Sequence, residues 1–148
     1  MGKSLESFRG WAVSRRSVGN PDGTYKGQCV SLIQQYLSQV FGIPFVPRGN
    51  AKDFVPPTFK QISLNSPLKP GYIVRYGRNY GGGYGHIGMI DDTGSYMDQN
   101  GLKVLAVGRA GGPLRGYVAV FAPTRKFSIK TPKPAAKHKP AAIYVVKS

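Results

Sequence analysis

Apolar residues recur twice at helical spacing near the start of the chain and then give way to short strand-like runs. Leu5, Phe8 and Ala12 share one helical stripe, with Trp11 beside it and Ser4 placed to cap the first turn. The dense turn signal Val18-Gly19-Asn20-Pro21-Asp22-Gly23 ends that helix. Cys29, Leu32, Ile33, Tyr36, Leu37 and Val40 form a longer continuous stripe, stopped by Gly42 and Pro44. The spacing predicts a second helix that opens at Cys29 and turns this face inward.

Residues 43–70 hold six prolines and little periodicity, which predicts a long ordered loop with a short helical turn near Ala51–Phe54. Strands are expected at Tyr72–Tyr76 and at His86–Asp91, the latter after the run Gly81-Gly82-Gly83-Tyr84-Gly85. Shorter candidates are Tyr96–Asn100, Lys103–Gly108 and Tyr117–Ala122, separated by glycine turns. Strands in sequence joined by tight turns imply an antiparallel sheet, here preceded by the helices. The expected fold class is α+β.

At 148 residues and 41% hydrophobic, the chain has room and apolar content for one domain. That domain is expected over residues 1–123. A Lys/Pro/Ala-rich linker follows over 124–141, and the last residues, 142–148, are apolar and strand-like. A single cysteine excludes an intramolecular disulfide and a four-cysteine zinc site. No apolar run approaches membrane-spanning length, and the N-terminal residues lack a secretion signal, so a product made soluble in the cytoplasm is expected. The net charge of +15 divides into +7 after Pro123 and +8 before it. Such a surface suits a polyanionic partner: nucleic acid, an anionic membrane or a phosphate-rich cell wall.

The candidate chemistry centres on one thiol and one imidazole. A thiol in the first turn of a helix has its thiolate stabilised by unpaired N–H groups and the helix dipole, and a nearby imidazole completes a nucleophile–base pair. A third polar group is usually needed to orient the ring. If the His86 strand pairs with the next, Asp98 or Asn100 can approach His86, since these two share a strand face and Gln99 takes the other. Each residue also has a structural alternative. Cys29 suits a buried small hydrophobe, His86 a satisfied strand histidine, and Asn100-Gly101 a hairpin turn.

Gly27-Gln28-Cys29-Val30, Pro70-Gly71-Tyr72-Ile73-Val74, Tyr84-Gly85-His86-Ile87-Gly88-Met89-Ile90 and Asp98-Gln99-Asn100 together resemble the CHAP domain. These are cysteine, histidine-dependent amidohydrolases/peptidases, common in bacteriophage lysins. The resemblance covers roughly residues 5–123 and implies a papain-like fold that cleaves amide bonds in peptidoglycan. By position it implies Cys29 as nucleophile, His86 as general base and Asp98 as the orienting group. Asn100 would support the histidine or the substrate, and Gln28 would form an oxyanion hole with the Cys29 N–H. The family more often has Glu where Asp98 stands, and often an acid where Tyr72 stands.

Some relatives bind Ca²⁺ through acidic residues before and just after the cysteine. Here only Asp22 is acidic, with Lys26 nearby and Ser31 following, so no metal is expected. Residues 142–148 resemble the opening strand of a LysM wall-binding repeat.

The function expected on this basis is a phage endolysin, most simply a monomer, that lyses Gram-positive walls after release. Its partners would be peptidoglycan and anionic wall polymers such as teichoic acid. A virion-associated hydrolase and a non-catalytic wall-binding module are the alternatives. A nucleic-acid partner is disfavoured because the densest charge lies in the linker and the aromatics suit strand cores. Membrane insertion is not expected.

Overall fold

The computed structural model describes residues 2–132. Helix α1 spans Leu5–Arg15, and Ser4 caps it by accepting the Ser7 N–H at 3.0 Å. Its Leu5, Phe8 and Ala12 are fully buried, the stripe that the spacing predicts. Helix α2 spans Cys29–Phe41 and closes at Gly42 with paired bonds, Gly42 N–H to Ser38 O and Ile43 N–H to Leu37 O. Leu32, Ile33, Tyr36, Leu37 and Val40 are buried against α1 and the sheet.

Six strands follow: β1 (Phe59–Ile62), β2 (Ile73–Tyr76), β3 (His86–Ile90), β4 (Tyr96–Lys103), β5 (Ala106–Ala110) and β6 (Ala119–Pro123). They form one antiparallel sheet in the order β1-β6-β2-β3-β4-β5. The fold is α+β, two helices packed on a six-stranded antiparallel sheet. β2 to β5 meander in chain order, whereas β6 returns to pair with β2 and carries β1 at the edge.

Period-2 alternation splits the sheet into two apolar faces. Ile73, Ile87, Met89, Met97, Val107, Ala119 and Phe121 pack under the helices. Val74, Tyr76, Ile90, Tyr96 and Val120 form a smaller cluster on the other side.

Two local expectations are corrected. Residues 43–70 are not all loop: beyond the 3₁₀ turn at Ala51–Asp53 they supply β1. That strand is four residues long, half polar and flanked by prolines, so only its pairing with β6 defines it. The second correction concerns Asn100-Gly101, which does not end the strand. β4 runs on to Lys103 with a register shift between Gln99 and Lys103, and the reversal falls at Val104-Leu105. Asn100 takes φ 60° within this irregularity.

Part of the segment expected as linker is packed. The Ser128 and Ile129 carbonyls accept the Leu5 and Glu6 N–H groups at 2.8 and 2.9 Å, donors that α1 cannot satisfy internally. Phe127 lies 5.6 Å from the Phe41 ring centroid. Residues 133–141 of the linker and the strand-like run 142–148 lie outside the described residues.

Candidate active site

Cys29 is the first residue of α2, and Gln28 occupies the N-cap with extended backbone (φ −85°, ψ 151°). As the opening residue, Cys29 directs its backbone N–H out of the helix with no acceptor inside it. The thiol is partly buried, so the apolar stripe holds the helix while its first turn remains open to a cleft. The Gln28 side chain makes no cap hydrogen bond and also lines this cleft.

His86 opens β3 opposite Tyr76 on β2 and lines the same cleft as the first turn of α2. Gly85 precedes it with φ +83°, and a Cβ there would collide with the Lys52 backbone. That glycine lets the chain enter β3 against the 3₁₀ turn, where Lys52 N–H meets the Tyr84 carbonyl at 3.0 Å.

β4 delivers the third group. Gly88 pairs with Asp98, and Asp98 Oδ2 lies 2.7 Å from His86 Nε2. Asp98 is only 2% exposed, and its Oδ1 accepts the Leu102 N–H at 3.1 Å. An ionised carboxylate can only accept, so Nε2 carries the hydrogen and Nδ1 is the nitrogen left for the thiol. A Cβ at Gly101 would overlap both Asp98 Oδ2 and His86 Nε2, so this bond requires glycine there.

The electrostatics of the ring follow from its surroundings. Burial opposes the His86 cation, but hydrogen bonds to Asp98 and Cys29 and their negative charges outweigh it and push the pKa up to about 9. Tyr76 packs against the ring at 5.8 Å between centroids. Tyr96 stands beside Asp98, and burial with the adjacent carboxylate raises its hydroxyl and keeps it neutral.

The structure thus brings Cys29, His86 and Asp98 to one place, with Gln28 at its rim. Asn100 lines the same cleft, and no hydrogen bond joins it to His86 among the described residues. Its Oδ1 instead accepts the Leu105 N–H at 2.9 Å and shapes the β4–β5 reversal.

Gln99 carries a part that the sequence does not reveal. Its Oε1 accepts the Val18 N–H at 2.8 Å, while Nε2 donates to the Val18 and Gln28 carbonyls at 2.9 and 2.7 Å. One buried amide therefore ties the loop before α2, and the N-cap beside the sulfur, to β4. Strand alternation places Gln99 opposite Asp98; what it meets there needs the packed fold.

The cleft has a volume of about 560 Å³. One wall comes from the first turns of α2, another from Phe45–Ala51, and a third from Gly81, Tyr84, Gly85 and His86. Among the described residues no carboxylate lines it.

The loop before Cys29 does not fit Ca²⁺. Asp22 is its only acid, and Asp22 Oδ1 is already taken by the Thr24 N–H and hydroxyl at 3.0 and 2.6 Å. The buried Asn20 Oδ1 lacks a partner, but the loop supplies a single carboxylate where calcium sites draw on several. Among the described residues no cluster of three His, Cys, Asp or Glu side chains could hold a metal ion.

Neither the curated proteins nor the solved structures searched contain a significant match to this chain. A sequence model of the CHAP domain matches residues 19–108, from the loop before α2 into β5 and including Cys29, His86 and Asp98. The chain belongs to the CHAP domain family, cysteine/histidine amidohydrolases and peptidases related to peptidoglycan hydrolysis.

Proposed function

We propose that this protein is a peptidoglycan hydrolase of the phage endolysin type, cutting an amide bond of the wall peptide with Cys29 as nucleophile. One observation carries the reading: a histidine held by a buried carboxylate at 2.7 Å shares a cleft, and interacts electrostatically, with a cysteine at a helix N-terminus. An electropositive, partly exposed position of that kind is where cysteines act as nucleophiles rather than as inert core residues.

In this mechanism His86 Nδ1 takes the thiol proton, the resulting thiolate attacks the scissile carbonyl carbon, and the carbonyl π electrons move onto oxygen. The Cys29 N–H and the Gln28 side chain face that oxygen, where one donor typically contributes roughly 2.7–4 kcal/mol. Collapse of the adduct breaks the C–N bond as His86 Nδ1–H protonates the departing amine. The thioester then carries no charge on sulfur, so one of the influences raising His86 disappears. The ring, now neutral, accepts a proton from water as the water attacks the thioester. Products are a carboxylic acid and the restored thiol.

The reading extends to the partner. The basic surface suits attraction to anionic wall polymers such as teichoic acid, and no calcium is required. A virion-borne hydrolase would perform the same chemistry.

The test is to incubate purified Gram-positive walls with wild type and with Cys29→Ala. Turbidity would be followed and the new termini identified by mass spectrometry. Wild type is expected to clear the walls and leave one new kind of amine terminus, while the variant does neither. Undiminished clearing by Cys29→Ala removes the nucleophile assignment. Binding to walls with no soluble fragments from wild type favours a non-catalytic wall-binding module.

A further inference from the structure

Arg48 stands in the cleft wall with no ion-pair partner among the described residues. Among the described residues it and His86 are the only basic or acidic side chains lining the cleft. All six acidic residues of the chain are engaged elsewhere. Asp98 holds His86, Asp91 and Asp92 hold Arg109 and Arg9, Asp53 pairs with Lys52, Asp22 with Thr24, and Glu6 accepts the Thr131 N–H.

The guanidinium is nevertheless positioned. Its NH1 donates to Gln34 Oε1, and longer bonds at 3.4 Å reach the Val46 and Pro44 carbonyls. Gln34 is itself fixed, its Nε2 donating to the Val46 carbonyl at 3.0 Å. A partly buried arginine with only neutral acceptors retains a positive charge, and these three bonds use fewer than its five N–H donors in a residue that lines the cleft. Burial lowers its pKa, the mark of a cation lacking a counter-ion.

We infer that Arg48 is a binding residue for a carboxylate of the substrate. The inference rests on the hydrolase reading for the identity of that substrate. Gln34 lies five residues along α2 from Cys29, roughly 7.5 Å of helix rise. An extended peptide advances about 3.3–3.6 Å per residue, so the carboxylate belongs about two residues from the scissile amide. Stem peptides carry free carboxylates and fit this requirement, whereas a cross-bridge of neutral residues offers none. A planar carboxylate also matches the fork of an arginine, which makes such pairs selective over a carboxamide.

The test uses the full chain carrying Cys29→Ala, so that binding is read without turnover. A synthetic stem tetrapeptide with free carboxylates, and its counterpart with each carboxylate converted to carboxamide, would be titrated by calorimetry. The free acid is expected to bind at least about tenfold tighter, the range of a charge-assisted pair. Arg48→Gln in the same background is expected to abolish that preference, and Arg48→Lys to keep part of it. Equal binding of the two peptides, or no binding of either, overturns the carboxylate site without needing any change at Arg48. A preference that survives Arg48→Gln in folded protein overturns the assignment to this residue. Wall clearing by the Cys29-intact protein is scored separately. Clearing with equal peptide binding removes only the Arg48 inference, and a carboxylate preference without clearing removes only the hydrolase reading.

Discussion

His86 Nε2 and Asp98 Oδ2 lie 2.7 Å apart across the β3–β4 pair, and this contact decides which imidazole nitrogen faces the sulfur. Asp98→Asn preserves size but replaces an acceptor-only group with one that can present N–H to the ring. The histidine can then hold its proton on the wrong nitrogen. We expect kcat to fall by about 10²- to 10⁴-fold with little change in KM, read by release of new amine termini. An unaltered kcat would mean that Asp98 only packs.

The raised His86 pKa gives activity an alkaline limit. An imidazolium that protonates the leaving amine is present below about pH 9 and lost above it. Kcat/KM should therefore decline through about pH 9, and in Asp98→Asn the decline should begin at lower pH. The sign for stability is the same. A folded-state pKa above the ordinary value of 6.5 contributes stability that is full below pH 6.5 and lost as pH rises through about 9. Urea titrations at pH 6 and pH 9.5 should show the gap between wild type and Asp98→Asn shrinking at the higher pH.

Gly101→Ala tests the fit of the pair directly. The new methyl must displace the Asp98 carboxylate or the His86 ring. Activity should drop at least about 100-fold, because misplacing reacting groups by about 1 Å is that costly. The residue is exposed, so Tm should change by only a few degrees. A fully active Gly101→Ala protein would show that the bond is not needed.

Gln99→Ala should affect both stability and rate. It leaves the Val18 N–H, the Val18 carbonyl and the Gln28 carbonyl without their side-chain partner. Each such buried loss costs about 1–3 kcal/mol, although water entering the space offsets part of it, so we expect about 2–4 kcal/mol by chemical denaturation. The N-cap beside Cys29 loosens with it, and kcat should fall more than KM rises.

Removal of divalent ions should leave the rate of wall clearing unchanged. The loop before Cys29 offers a single carboxylate, half of it committed to Thr24. An EDTA titration followed by Ca²⁺ addition measures this, and a Ca²⁺-restored loss of activity would contradict it.

Both helices and five of the six strands among the described residues are legible in the sequence because each buries its own stripe or alternates on its own account. Leu5, Phe8 and Ala12 specify α1 whatever follows. β1 is not legible, because Phe59–Ile62 lies between prolines and is half polar; it exists by pairing with β6, some sixty residues later. Asn100-Gly101 misleads for a related reason. Asn-Gly is a strong local turn signal, but here pairing with β5 extends β4 past it, and the two residues serve a bulge and a close approach.

The sequence by itself determined the chemical inventory: one cysteine at the head of an apolar helix, one histidine at the start of a strand, and a carboxylate on the next. These were legible because local periodicity and spacing assign residues to elements and faces. Only the tertiary structure decided their relations, since hydrogen bonds depend on distances set by packing between distant segments. It joined Asp98 to His86, bound Asn100 to the β4–β5 reversal, tied Gln99 to the N-cap of α2, and left Arg48 in the cleft wall without a carboxylate among the described residues.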